Sequence, residues 1–206
     1  MQVKWPVMRR LMLKAATPIL RGAGIMHMPP HYRSIGWNDV VTVLGAMMPG
    51  DVLLSRRDHE ITNPLIPGYW KHAAIYEGSE RVIEAIGRGV IDTSIKEFCT
   101  TKDDVLVLRA RFANAVEAAL AVEEAKALRG AKYDYLVEHD LDRTVNNAFY
   151  CSEVIWWSYD RVLAASGRES PFKPRITLGV PAVTPQDYAE AKDKWSIVAR
   201  IRVEKL

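Results

Sequence analysis

Cys151, His72 and Glu84 are ionisable side chains in apolar surroundings, and together they suit nucleophilic chemistry. Cys151 stands in Phe149-Tyr150-Cys151-Ser152-Glu153-Val154-Ile155-Trp156-Trp157, where a polar, aperiodic run becomes an apolar helix. Val154, Ile155, Trp157, Val162 and Leu163 recur at spacings that keep one helical face buried. A thiol at such a helix start meets unpaired backbone N–H groups and the positive end of the helix dipole, and both favour the reactive thiolate. Ser152 is of a capping type, and Glu153 suits the first turn. Alone, such a cysteine reads first as a small buried apolar residue.

His72 opens the strand-like run His72-Ala73-Ala74-Ile75-Tyr76, and Glu84 interrupts Val82-Ile83-Glu84-Ala85-Ile86. Gly78-Ser79 between them reads as a hairpin tip. Pairing Glu77 with Glu80 around that tip sets His72 opposite Ala85, one position from Glu84, and a bulge brings the two into register. An ionisable ring in an apolar strand is costly without a partner. Taken singly, His72 reads as a satisfied core histidine and Glu84 as the partner of Arg88 or Arg109. Taken together, a thiol at a helix start, an imidazole and a polar group to orient it are the parts of a cysteine hydrolase, which transfers an acyl group through a thioester.

The elements that must position these groups follow from pattern. Asp51 to Ser55 reads as a strand entering a core, and Val90 to Asp92 and Val105 to Arg109 as two more. Trp37 to Met48 reads as a short helix ended by Pro49-Gly50, and Ser94 to Thr100 as one helical turn with Cys99 inward. Ala115 to Arg129 reads as a helix burying Val116, Leu120, Ala127 and Leu128, with Gly130 ending it. Residues 166–185 read as a long loop with four prolines, Pro185 to Lys192 as a short helix, and Ser196 to Val203 as a closing strand. The acids Glu138, Asp140 and Asp142 read as a solvated loop, and Gly87-Arg88-Gly89 as a plain turn.

A chain of 206 residues supports one sizeable core. Two cysteines give no disulfide framework and no CxxC pair, which favours a reducing compartment. No apolar run is long enough to span a bilayer, and Lys14, Pro18 and Arg21 break up any signal-peptide pattern; on that basis the expected location is cytoplasmic or peripheral to a membrane. The net charge of +3 is uneven. Residues 1–38 hold six basic residues and no acid, which leaves 22 basic against 25 acidic residues in the rest. Trp5 to Leu20 reads as an amphipathic helix with Met8, Leu11, Met12, Ala15 and Ile19 on one face and Arg10, Lys14 and Arg21 on another. It suits either packing on its own domain or an anionic membrane surface contacted through residues 5–21. Gly22 to Arg33 reads as a linker, whose prolines separate His27 from His31 and argue against a metal site. With a net acidic body and no recognised motif, no nucleic-acid partner is expected, and no cofactor or metal.

The ordered motifs Pro49-Gly50-Asp51-Val52-Leu53-Leu54, Lys71-His72-Ala73-Ala74-Ile75-Tyr76, Val82-Ile83-Glu84-Ala85, Tyr133-Asp134 and Tyr150-Cys151-Ser152-Glu153 resemble the permuted papain-like amidases, the circularly permuted branch of the NlpC superfamily with YiiX-like members. The resemblance covers about residues 45–165. It implies an α+β, papain-like circularly permuted fold in which an antiparallel sheet packs on the catalytic-cysteine helix. The expected division is an N-terminal helical extension and linker, 1–45, and a catalytic domain, 46–206. The resemblance also implies Cys151 as nucleophile, His72 as general base and then acid, and Glu84 as the residue that orients the imidazole. Asp51 corresponds to a structural acid. Tyr133, Trp70 and Tyr150 are the expected substrate-binding or oxyanion residues. Lys71 departs from the family, which often has serine there. The implied substrate is a peptide or isopeptide bond of the cell-wall type. The alternatives are an acyl lipid, hydrolysed or transferred at a membrane surface, and a non-catalytic binding module on the same fold.

Overall fold

Strands buried on both faces read as continuous apolar runs, not as alternating ones, and Val52, Leu53 and Leu54 are all fully buried. The computed structural model describes residues 34–203 except 59, 61, 62, 64, 65, 136–146, 178 and 179. The readings of residues 5–21, of the linker with His27 and His31, and of the loop with Glu138, Asp140 and Asp142 lie outside the described residues. The described elements are α1 (Trp37–Leu44), β1 (Val52–Arg56), β2 (His72–Gly78), β3 (Arg81–Ile86), β4 (Gly89–Ser94), α2 (Ile95–Thr100), β5 (Asp104–Ala110), α3 (Ala115–Ala127), β6 (Lys132–Tyr133), β7 (Ala148–Phe149), α4 (Cys151–Ala165), β8 (Arg175–Thr177), β9 (Val180–Ala182), α5 (Pro185–Glu190) and β10 (Trp195–Arg202).

Six strands form one sheet in the order β10-β5-β1-β2-β3-β4, each pair antiparallel. One face presents Leu54, Ala73, Ile75, Ile83, Leu106 and Leu108 to α3 and α4, whose Ala121, Val122, Ala125, Val154 and Ile155 complete that core. The other presents Leu53, Ala74, Tyr76, Val82, Val105 and Val107 to α1 and α2, which contribute Val40, Ile95, Phe98 and Cys99. Each fully buried Leu or Ile contributes about 1.5–3 kcal/mol, so the sheet that carries the ionisable groups is held from both sides. Ile35 and Val40 already belong to this second core, ahead of the boundary expected at 45/46. The arrangement is the α+β, antiparallel-sheet architecture expected, with α4 packed on the sheet.

Four local readings change. The β2–β3 turn is centred on Ser79-Glu80, both at positive φ (49° and 58°), not on Gly78-Ser79. Two positive-φ central residues match the right-handed twist of a hairpin. A register shift between Tyr76 and Gly78 then sets Ala74 opposite Glu84. Helix α3 buries Ala121, Val122 and Ala125, while Val116 and Leu120 are exposed. Its inward side must be small because the chain at Gly50 passes close by: a Cβ there would stand 2.7 Å from the Cβ of Ala118. The long loop after α4 holds the hairpin of β8 and β9. Ser152 does not cap α4; the helix starts at Cys151 after an extended Tyr150, and the serine hydroxyl bonds elsewhere.

Candidate active site

His72 opens β2, and Ala74, two residues on and therefore on the same face, lies directly opposite Glu84. Glu84 is thus the diagonal cross-strand neighbour of His72, within reach of a long side chain. The imidazole Nε2 and the Glu84 Oε2 are 2.6 Å apart. The second carboxylate oxygen accepts a hydrogen bond from the Thr93 hydroxyl on β4. The imidazole ring lies against Phe98 of α2, centroids 5.8 Å apart. Arg109, one of the alternative partners for Glu84, is engaged by buried Asp51 through bonds of 2.8 and 2.7 Å. Asp51 also accepts the Met48 N–H, which fits its structural reading.

With Nε2 turned to Glu84, Nδ1 is the ring nitrogen left for Cys151, whose thiol, at the first position of α4, is near enough to act on the titration of the ring. Pairing of β2 with β3 begins at Ala74, so the N–H of Ala73, just before it, is left with that of Ser152 to favour charge on the sulfur. Burial opposes the thiolate, but the bond to His72, its charge and these two N–H groups outweigh that and hold the Cys151 thiol below its usual range. Burial likewise opposes the imidazolium, yet the bonds to Cys151 and Glu84 raise His72 to about 9. Glu84 is buried as well; His72, then Thr93 and the charge of Lys102, keep it ionised below the usual carboxylate range. All three directions favour a thiolate beside an imidazolium, with a carboxylate behind it. Cys99 is the contrast: burial pushes its thiol up to about 12.

The other expected residues lie on neighbouring segments of the chain. Strand β6 runs parallel to β7 with Tyr133 beside Phe149, two residues before the cysteine. Burial raises the Tyr133 phenol well above its usual range, and the charge of Cys151 adds to this, so the hydroxyl keeps its proton. Tyr150 is buried, and its hydroxyl accepts the Val183 N–H at 3.1 Å. Trp70 is buried between the edge contact of Tyr69 and the Arg200 guanidinium. Lys71, beside the histidine, points its ammonium away, at the carbonyls of Asn63 (2.9 Å) and Ile66.

Some partners escape a reading of the sequence. The Ser152 hydroxyl donates to the Val183 carbonyl at 2.7 Å, and the Tyr188 hydroxyl donates to the Ser152 carbonyl at 2.8 Å. Gln186 on the same short helix accepts the N–H of Tyr69 (2.8 Å) and of Trp70 (3.3 Å). Residues 183–188 therefore fasten the start of the cysteine helix to the segment leading into the histidine strand. Only the polarity of Gln186 and Tyr188 in a proline-rich stretch hints at it. Among the described residues no cluster of three or more His, Cys, Asp or Glu is placed to hold a metal ion, and no helix is long and apolar enough to cross a membrane.

A family model described as permuted papain-like amidase enzyme, YaeF/YiiX, C92 family, matches residues 46–199. The chain belongs to this family. As a permuted papain-like amidase it is a hydrolase at the level of the family, and the match runs from just before β1 into β10. Thiol, imidazole and carboxylate all fall inside the matched span. No curated protein and no solved structure matches the chain.

Proposed function

We propose that this amidase cleaves peptide or isopeptide bonds of the cell-wall type through a thioester on Cys151. The observation that carries the reading is His72 held at 2.6 Å by Glu84 through Nε2, with Cys151 at the start of α4 acting on the same ring so that the thiol is shifted down and the imidazole up. The Cys151 thiolate attacks the scissile carbonyl carbon, a C–S bond forms, and the carbonyl oxygen becomes an oxyanion. The backbone N–H of Cys151, without an intrahelical acceptor at the first helical position, and the neutral Tyr133 hydroxyl are the donors that meet it. Collapse breaks the C–N bond, and the amine leaves with the His72 proton. Water then attacks the thioester and gives a proton to the neutral imidazole. The C–S bond breaks, the acid is released, and the thiolate–imidazolium pair returns. Glu84 holds the ring in place throughout and stabilises its charged form.

The test is turnover on a panel of cell-wall peptides, isopeptides and acyl lipids with the wild type and Cys151→Ala. Release of a peptide acid that Cys151→Ala abolishes is the expected result. Activity confined to acyl lipids replaces the peptide substrate with a lipid one. Peptide cleavage that survives Cys151→Ala overturns the mechanism.

A further inference from the structure

Glu84 can orient His72 only if the carboxylate itself is held, and one hydrogen bond does not hold it. The terminal torsion of a glutamate is broad and two-fold, so a carboxylate bonded only to the imidazole can swing about that bond. Its other oxygen is fixed by Thr93, whose β-branched side chain is itself stiff. The placement follows from register. Val82 lies opposite Thr93, and Glu84, two residues on, shares that face, so Thr93 is the diagonal neighbour of Glu84 as Glu84 is of His72. The backbone at Thr93 is anchored on its far side. Ser94 caps α2 through the Glu97 N–H at 3.1 Å, and the Ile95 N–H bonds the Glu80 carbonyl at 2.8 Å. Thr93 and Glu84 are both buried, so solvent does not replace the bond if it is lost.

We propose that Thr93 is a positioning residue for the hydrolysis, the last member of a series stepping diagonally across β2, β3 and β4 that locks Glu84 in the orientation His72 needs. The groups facing Glu84 are His72 from β2, Thr93 from β4 and the charge of Lys102 beyond α2, with Cys151 on the far side of the imidazole. Without the Thr93 hydroxyl a buried carboxylate oxygen loses its donor. The carboxylate is then drawn toward Lys102, and the imidazolium loses part of its support. The inference rests on the Cys151–His72–Glu84 reading above.

The experiment compares Thr93→Val, which keeps the shape without the hydroxyl, with Thr93→Ser, which keeps the hydroxyl. Circular dichroism monitors folding in each. The expected result for Thr93→Val is a fall in kcat of about 10-fold with KM little changed. The alkaline limb of its kcat profile shifts below its wild-type position, and the acid limb of Cys151 alkylation by iodoacetamide shifts up. Thr93→Ser stays within about twofold of wild type in kcat, the hydrogen bond being kept. In a Glu84→Gln background the valine change adds little, because both act through one group. Wild-type kinetics in Thr93→Val, or equal impairment in valine and serine variants, overturns the proposal. So does loss of fold in both, which makes Thr93 a structural residue. The parent reading fails separately, when wild-type Cys151 alkylates no faster than Cys99.

Discussion

The two cysteines give this chain an internal control for its chemistry. Cys99 is buried on the inner side of α2 with its thiol pushed up to about 12, so at pH 7 about one molecule in 10^5 carries the thiolate there. An unperturbed thiol near 8.5 has roughly 3 % thiolate at that pH, and Cys151 lies on the thiolate side of the usual range. Thiolate content alone therefore predicts that Cys151 alkylates at least about 10^3-fold faster than Cys99 at pH 7. The advantage over an ordinary thiol is greater at lower pH, because the depressed group loses its charge later. His72→Ala removes the bond and the charge that outweigh burial, so the Cys151 thiol rises and its labelling near pH 6 drops by about 10-fold or more. Mass spectrometry of the two cysteine-containing peptides over pH 5–9, in wild type and variant, measures both effects. Similar rates at the two cysteines, or a Cys151 rate indifferent to His72, refutes the reasoning.

Further outcomes follow from the same geometry. Glu84→Gln keeps the shape but loses the charge that supports the imidazolium, so kcat falls about 10- to 100-fold and the alkaline limb moves below about 9 in a pH–rate profile. The His72 contribution to stability is fully present below its usual value of 6.5 and is lost as pH rises through about 9. That of Glu84, whose folded value is depressed, is present above the ordinary carboxylate range and lost as pH falls through the folded value; urea midpoints at pH 4, 7 and 10 are expected to peak at the middle one. Gly50→Ala forces a Cβ to within 2.7 Å of Ala118 at a φ of +92°, and a loss of about 2 kcal/mol or more in a denaturant titration is expected.

His72 and Glu84 are legible in the sequence because a charge inside an apolar strand needs a reason, and each supplies the other's. Cys151 is legible because the helix that follows it is unmistakably apolar. Their register is legible only to within one residue, since a turn built on Ser79 and Glu80 at positive φ carries none of the glycine signal that marks such turns. The buried face of α3 is not legible at all. Alanine and valine recur on every side of that helix, and the choice is made by the chain at Gly50, far away in sequence. Thr93 and Gln186 find their partners only through the tertiary fold: one through two successive strand registers, the other across more than a hundred residues. Polar residues of this kind look alike in sequence whether they meet solvent or an active site.

The fastening by residues 183–188 also sets an order in time. A chain emerging from the ribosome presents His72 early and Cys151 late, and domains assemble as their parts arrive. Val183, Gln186 and Tyr188, which tie the two sides together, arrive later still. The thiol and the imidazole are thus tied into lasting register only after residues 183–188 have been made. A nascent chain that has reached Cys151 but not Tyr188 still lacks the ties that hold the proposed site together.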